Sequence, residues 1–121
     1  MRIPSSRPLA RVLALLLVAA CARPDPPPPA PDWVAAVIAE LEREPVGNPP
    51  ASLTRYTYNG KTVYYVPPRC CDVAGVLYAE SGDVLCGPDG GLTGRGDGRC
   101  PDFHATRSDE QLIWRDTRKP E

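Results

Sequence analysis

The sequence predicts a small α+β domain: one N-terminal helix packed on a short antiparallel sheet, braced by disulfides and carrying a long glycine-rich loop. Three observations predict it: an amphipathic segment at 32–44, two β-hairpin signals further along, and four cysteines in the second half of the chain. With 121 residues, 16 of them proline, the chain has room for one such domain at most. We expect that domain to span residues 32–119.

The first segment, residues 1–20, has the features of a secretory signal peptide. Its positive charges are Arg2, Arg7 and Arg11. The apolar stretch 12–20 follows, and it is too short for a stable membrane-spanning helix. The sequence Val18-Ala19-Ala20-Cys21 resembles a bacterial lipobox. We therefore expect Cys21 to be lipidated and to anchor the protein to a membrane; an ordinary cleaved signal beside a stray thiol is the alternative.

Residues 21–31 contain the lipidated cysteine and a proline-rich linker. Because proline fixes φ and has no backbone N–H, the run of prolines predicts an extended polyproline-type spacer. Ala22, rather than an aspartate, follows the cysteine, which by analogy with known lipoproteins favours the outer membrane. The predicted location is the cell envelope, on its periplasmic or surface face.

The amphipathic segment predicts a helix over 32–44. Its apolar stripe comprises Trp33, Val34, Val37, Ile38 and Leu41. The three- and four-residue spacing of that stripe is typical of one helical face. Asp32 is the expected N-cap, and Pro45 ends the helix.

A β-hairpin is predicted next, with strands Leu53–Tyr58 and Lys61–Val66 around Asn59-Gly60. A two-residue turn pairs Tyr58 with Lys61, Tyr56 with Val63 and Thr54 with Tyr65. We expect the helix to cover the face with Tyr56, Tyr58, Val63 and Tyr65, and Tyr64 to be an exposed aromatic. The tyrosines form either a glycan- or peptide-binding platform or ordinary cross-strand packing.

Further strands are predicted at Val73–Ala79 and Val84–Cys86, with a closing strand at 111–116. Between Cys86 and Cys100 lie six glycines, which indicate a loop rather than regular structure.

The cysteines beyond Cys21 are Cys70, Cys71, Cys86 and Cys100. An even number in a small exported domain predicts two disulfides. Adjacent cysteines in an extended segment point in opposite directions, so we expect Cys70 and Cys71 each to bond with Cys86 or Cys100, in an order left open.

The chain resembles an uncharacterised family of small bacterial secreted or lipid-anchored proteins, classed as a domain of unknown function. The segments that carry the resemblance are 58–65, 70–72, 77–78, 86–91, 94–98, 100–103 and 113–114. The similarity extends over about residues 33–118. It implies an envelope location and no known activity or catalytic residue.

The residues of a candidate binding loop are Asp89, Arg95, Asp97 and Asp102. These aspartates are candidate calcium ligands or, as the favoured hypothesis, caps of turns. Arg95-Gly96-Asp97 also matches the integrin-recognition tripeptide, for which a turn requirement is the better explanation. No metal site is predicted, because the cysteines and His104 lack zinc-finger spacing.

Composition excludes several functions. Loss of the three N-terminal arginines leaves 11 basic residues against 15 acidic ones, a formal net charge of −4, so nucleic acid is not an expected partner. With a single histidine, no catalytic site is predicted, and no cofactor. We expect a non-enzymatic binding or structural module with an envelope protein or glycan as partner. The alternatives are an envelope hydrolase, with His104 as base, and a Kazal-like protease inhibitor presenting the loop after Cys86.

Overall fold

The computed structural model describes Arg2 and residues 21–70 and 72–121. The predicted signal peptide, Arg2 apart, and Cys71 lie outside the described residues. The elements are helix α1 (Asp32–Arg43), strands β1 (Ser52–Tyr58), β2 (Lys61–Val66), β3 (Val76–Ala79) and β4 (Val84–Cys86), helix α2 (Phe103–Thr106) and strand β5 (Ser108–Arg115). The strands form an antiparallel sheet in the order β4-β3-β2-β1-β5. The α+β class and the antiparallel sheet are thus confirmed.

The β1–β2 hairpin has the predicted register, with Tyr58 opposite Lys61 and Tyr56 opposite Val63. Asn59 and Gly60 both adopt positive φ, 50° and 73°. Two consecutive positive φ values match the right-handed twist of the flanking strands, which is why this dipeptide specifies the hairpin.

The two faces of the hairpin are covered in the reverse of the expected way. Helix α1 packs on the face with Leu53, Tyr64 and Val66, against which Val34 and Leu41 are buried. Tyr64 is 1% exposed, so the expectation of an exposed aromatic is wrong. Its ring and that of Trp33 pack nearly perpendicular to each other, with ring centroids 5.3 Å apart.

The opposite face, with Tyr56, Val63 and Tyr65, is covered by Phe103 of α2 and by Cys86 and Cys100. Phe103 is fully buried, and its ring lies 5.3 to 5.6 Å from the rings of three tyrosines: Tyr56, Tyr58 and Tyr65. The short helix α2 was not predicted, since a four-residue turn has no periodicity. Because α2 covers this face of the hairpin, helix α1 packs on the other face.

The disulfide pattern differs from the prediction. Cys86 bonds to Cys100, with their Cα atoms 6.2 Å apart. Cys70 also belongs to a disulfide. The expectation that Cys70 and Cys71 each reach Cys86 or Cys100 is therefore wrong. The physical reason is that the intervening loop returns to its own start: the Asp97 N–H donates to the Gly87 carbonyl at 2.9 Å, which brings Cys100 back beside Cys86.

Helix α1 is held at both ends by groups that the sequence pattern did not indicate. Pro31, not Asp32, occupies the N-cap position, and its carbonyl accepts from the Val34 N–H. At the other end, the Arg118 guanidinium donates to the carbonyls of Glu42 and Glu44. These are terminal carbonyls that the helix itself cannot satisfy.

The proline-rich segment contacts the sheet before the helix begins. Arg55 of β1 is 7% exposed, and its guanidinium donates to the Pro28 carbonyl at 2.7 Å and to the Gln111 side chain. Ala30 packs against the same hydrophobic cluster as α1. The end of the predicted linker is thus in contact with the domain.

The loop that the disulfide closes contains no helix or strand. Instead, Gly90 pairs with Ala74 on one side and with Arg95 on the other. Gly96, with φ of 68°, packs so closely that a Cβ would collide with the Gly87 carbonyl and lie 2.6 Å from the Asp89 nitrogen. Gly94 has nearly the same φ, 72°, but open space around it.

Comparing alanine substitutions at Gly94 and Gly96 distinguishes the cost of a left-handed backbone from the cost of a collision between the added Cβ and neighbouring backbone atoms. We expect Gly94→Ala to destabilise the fold by about 1 kcal/mol, because only the left-handed backbone is penalised. Gly96→Ala should cost several times as much, since backbone must also move. Urea denaturation of the two variants checks this, and equal losses would show that the close approach at Gly96 is absent.

Candidate functional site

The chemistry-bearing side chains that meet in the described residues are Tyr65, Asp89, His104 and Arg107, here called the Asp89 cluster. Asp89 Oδ2 accepts from the Tyr65 hydroxyl and from His104 Nε2, the latter at 2.9 Å. Asp89 Oδ1 is buried and has no partner within the described part of the chain. A Cβ at Gly75 would collide with that oxygen, so the carboxylate needs glycine there.

The hydrogen bonds of His104 determine which nitrogen carries the ring proton. Arg107 Nη1 donates to His104 Nδ1 at 2.8 Å, and a guanidinium can only donate. Nδ1 therefore holds a lone pair, and the proton is on Nε2, which donates to Asp89. Both ring nitrogens of a neutral imidazole are engaged. A general base needs a nitrogen that is open to a substrate or nucleophile, and His104 has none in this arrangement.

The Arg107 guanidinium also contacts two aromatic rings. It lies over the Tyr56 ring, 4.5 Å from the centroid, and 5.3 Å from the centroid of Phe103. Tyr56 donates to Glu110 at 2.6 Å, and burial, followed by this hydrogen bond, raises the pKa of Tyr56 to about 12. Burial and the bond to Asp89 likewise raise the pKa of Tyr65. Both phenols are thus uncharged donors at physiological pH.

Asp97 caps the turn at the end of the loop. Its carboxylate accepts from the Gly87 N–H at 2.9 Å, the Arg99 N–H at 2.9 Å and Arg99 Nε at 2.8 Å. The backbone bonds, first that from Arg99, hold the pKa of Asp97 at about 2. This geometry favours the turn-capping hypothesis over a calcium site. Among the described residues there is no group of three or more metal-ligating side chains.

The other predicted loop residues lie apart. Asp102 accepts from the Tyr58 hydroxyl at 2.6 Å, and its backbone carbonyl begins α2 by accepting from Thr106. Arg95 is exposed at the loop tip. The carboxylate of the Arg95-Gly96-Asp97 tripeptide is occupied by the turn that it caps. The structure therefore does not bring Asp89, Arg95, Asp97 and Asp102 together into one site.

The tyrosine platform is not on the surface. Of the hairpin tyrosines, Tyr58 is half-buried, and the other three, Tyr56, Tyr64 and Tyr65, are buried. Sequence reasoning missed Arg107, whose role depends on the position of α2. The sequence signal that could have indicated α2 was Asp102-Phe103-His104, where an aspartate precedes the start of the short helix.

The fold and the site define a small α+β domain with a disulfide-closed loop, in which the side chains of the Asp89 cluster bond to one another. The chain belongs to a family described as domain of unknown function (DUF6970), whose model matches residues 39–116. The resemblance to a domain of unknown function is thus confirmed. No curated protein and no solved structure matches the chain significantly.

The lowered pKa of Asp97 gives a pH-dependent prediction. Its folded-state pKa of about 2 lies below the ordinary value of 3.8, so the charged carboxylate stabilises the fold above pH 3.8, and this contribution is lost as pH falls through about 2. Asp97→Asn should lower the Tm at neutral pH, and the difference from the wild type should disappear towards pH 2. Thermal melts across this range are the measurement.

Asp25→Asn, in the exposed proline-rich segment, is the matched control and should leave the Tm unchanged. Calcium or a chelator should not change the Asp97 effect. A calcium-dependent rise in Tm that requires Asp97 would show that Asp97 is a metal ligand rather than a turn cap.

Proposed function

We propose that the protein is anchored to the bacterial cell envelope through lipid on Cys21, and that its domain is a non-enzymatic binding or structural module. The anchoring rests on the lipobox-like sequence before Cys21 and on the apolar stretch 12–20. Cys21 is exposed with a free thiol, which agrees with modification at that atom. In the described residues, no helix is both long and apolar enough to cross a membrane.

The second part of the proposal, that the domain is a non-enzymatic binding or structural module, rests on one observation. The side chains of the Asp89 cluster are hydrogen-bonded to one another. Asp89 is shared by Tyr65 and His104, and the second nitrogen of His104 is occupied by Arg107. Such an arrangement fixes the position of side chains and of the elements that carry them. It connects the loop, the sheet and α2, and leaves no imidazole lone pair for proton transfer.

A hydrolase is the second candidate, because Asp89 and His104 are paired as an acid and a histidine are in catalytic triads. In a triad the acid binds one imidazole nitrogen and the nucleophile binds the other. Here the second nitrogen binds Arg107. Ser81 and Ser108 donate instead to Asp83 and Asp109. A hydrolase would thus require Arg107 to leave first.

A protease inhibitor of the Kazal type would present its loop to a protease, and a preorganised loop lowers the ordering cost of that contact. The loop here is ordered by the disulfide and by turn hydrogen bonds, as such a role requires. Its tip is curled, however, since the Gly94 N–H donates to the Gly91 carbonyl at 3.2 Å. This curl favours an interaction that uses the projecting tip over one that uses an extended strand.

Metabolic labelling with a fatty acid tests the anchor. The wild-type chain expressed in a bacterium should incorporate the label and fractionate with membranes, because acyl chains bury many methylenes in the bilayer. Cys21→Ser should incorporate none. Ala30→Ser, a change of similar size beyond the lipobox, should retain the label. Equal label on Cys21→Ser and the wild type would refute lipidation at this residue.

A further inference from the structure

The imidazole of His104 is faced by charged and titratable groups from three parts of the chain. Arg107, directly after α2, donates to Nδ1 through its Nη1 at 2.8 Å. Asp89 of the loop accepts from Nε2 at 2.9 Å. The ring of Tyr65 on β2 lies 5.5 Å from the imidazole, measured between centroids. The His104 side chain is 40% exposed, so a proton can reach it from solvent.

A second proton on His104 acts in opposite directions on its two polar contacts. Because Nε2 already carries a proton, the second one binds to Nδ1, and an imidazolium donates from both nitrogens. Nδ1 and Arg107 Nη1 are then two donors without an acceptor between them, on groups of like charge. The contact with Asp89, in contrast, becomes an ion pair. Protonation therefore breaks the bond to Arg107 and strengthens the bond to Asp89.

The guanidinium of Arg107 covers part of the aromatic cluster around Phe103. Its carbon lies 4.5 Å from the centroid of the Tyr56 ring and 5.3 Å from that of Phe103. A contact of this kind at a partly exposed site is weaker than the repulsion between two cations at hydrogen-bond distance. Glu110 is an exposed residue whose carboxylate accepts from the Tyr56 hydroxyl at 2.6 Å. It offers the guanidinium another partner outside the rings.

We propose that His104 and Arg107 form a pH-sensitive switch: between pH 8 and pH 5, protonation of His104 expels the Arg107 side chain from the aromatic cluster, while His104 stays bound to Asp89. Histidine is the side chain that ordinarily changes its charge in this range. The moving part is a side chain, because the Arg107 N–H is held by the Phe103 carbonyl at 3.0 Å.

The switch changes the surface of the domain without creating a general base. When Arg107 leaves, Nδ1 carries the added proton and has no lone pair to offer. The surface that acidic pH uncovers is aromatic, since Arg107 lies over the rings of Tyr56 and Phe103. The switch depends neither on lipid at Cys21 nor on the proposed role of the domain.

Nuclear magnetic resonance of the full chain in detergent, from pH 8 to pH 5, tests the switch. At pH 8 the ring currents of Tyr56 and Phe103 should displace the side-chain proton signals of Arg107 from their random-coil positions. Most of this displacement should disappear as the ring protons of His104 titrate, with the same midpoint. Because the chain has one histidine, those ring signals are unambiguous.

Two substitutions isolate the coupling. His104→Gln is the matched control, since an amide has a donor and an acceptor, as a neutral imidazole does, but takes up no proton in this range. Its Arg107 signals should be constant from pH 8 to pH 5. Arg107→Ala should raise the midpoint of His104, because it removes a donor that favours the unprotonated ring. Arg43→Ala removes an equal charge from an exposed position on α1, across the sheet, and should leave that midpoint unchanged.

Three results overturn the proposal: Arg107 signals that stay displaced while His104 titrates, a His104 midpoint that Arg107→Ala leaves unchanged, and a ring that takes up no proton above pH 5. General unfolding before pH 5 also contradicts it, because the contact with Asp89 must persist. Thermal melts at pH 8 establish that each variant is folded. If His104→Gln is not, the wild-type titration and the midpoint of Arg107→Ala decide.

Discussion

The fold depends most on a single carboxylate, that of Asp89. It lies on the loop that the Cys86–Cys100 disulfide closes, and it binds Tyr65 of β2 and His104 of α2. The Asp89 backbone carbonyl also accepts from the Gly75 N–H at 3.0 Å. One residue thus connects the loop, the central strand and the short helix that carries Phe103. The Asp89 carboxylate is only partly exposed, and its Oδ2 accepts from two donors, so these hydrogen bonds hold Tyr65 and His104 in place.

This connection explains why so small a sheet is buried on both faces. The central strands have runs of four consecutive buried residues, Leu53–Tyr56 in β1 and Val63–Val66 in β2. Such runs are typical of strands that are covered on both sides. Helix α1 covers one face, while the loop and Phe103 cover the other. A domain of this size therefore has two hydrophobic clusters that share one hairpin.

The sequence predicted the parts of this fold that depend on local patterns. The hairpin register follows from Asn59-Gly60 and alternation, and α1 follows from its apolar spacing. Periodicity could not assign the hairpin faces, because both are apolar enough for a core and the choice depends on α2. The Cys86–Cys100 pairing could not be predicted for a similar reason. Its geometry requires the loop to return to Gly87 through Asp97, a contact between residues ten positions apart. The pairing of His104 with Asp89 depends on that same return.

The protonation state of His104 tests this account most directly. Because the chain has one histidine, its ring nitrogens can be assigned without ambiguity by long-range proton–nitrogen correlation at about pH 8. The account predicts a neutral ring with the proton on Nε2 and an Nδ1 that accepts from Arg107; Arg107→Ala should free Nδ1 without moving the proton. A ring with its proton on Nδ1, or one exchanging rapidly between both forms in the wild type, would contradict the arrangement on which the fold and the proposed function depend.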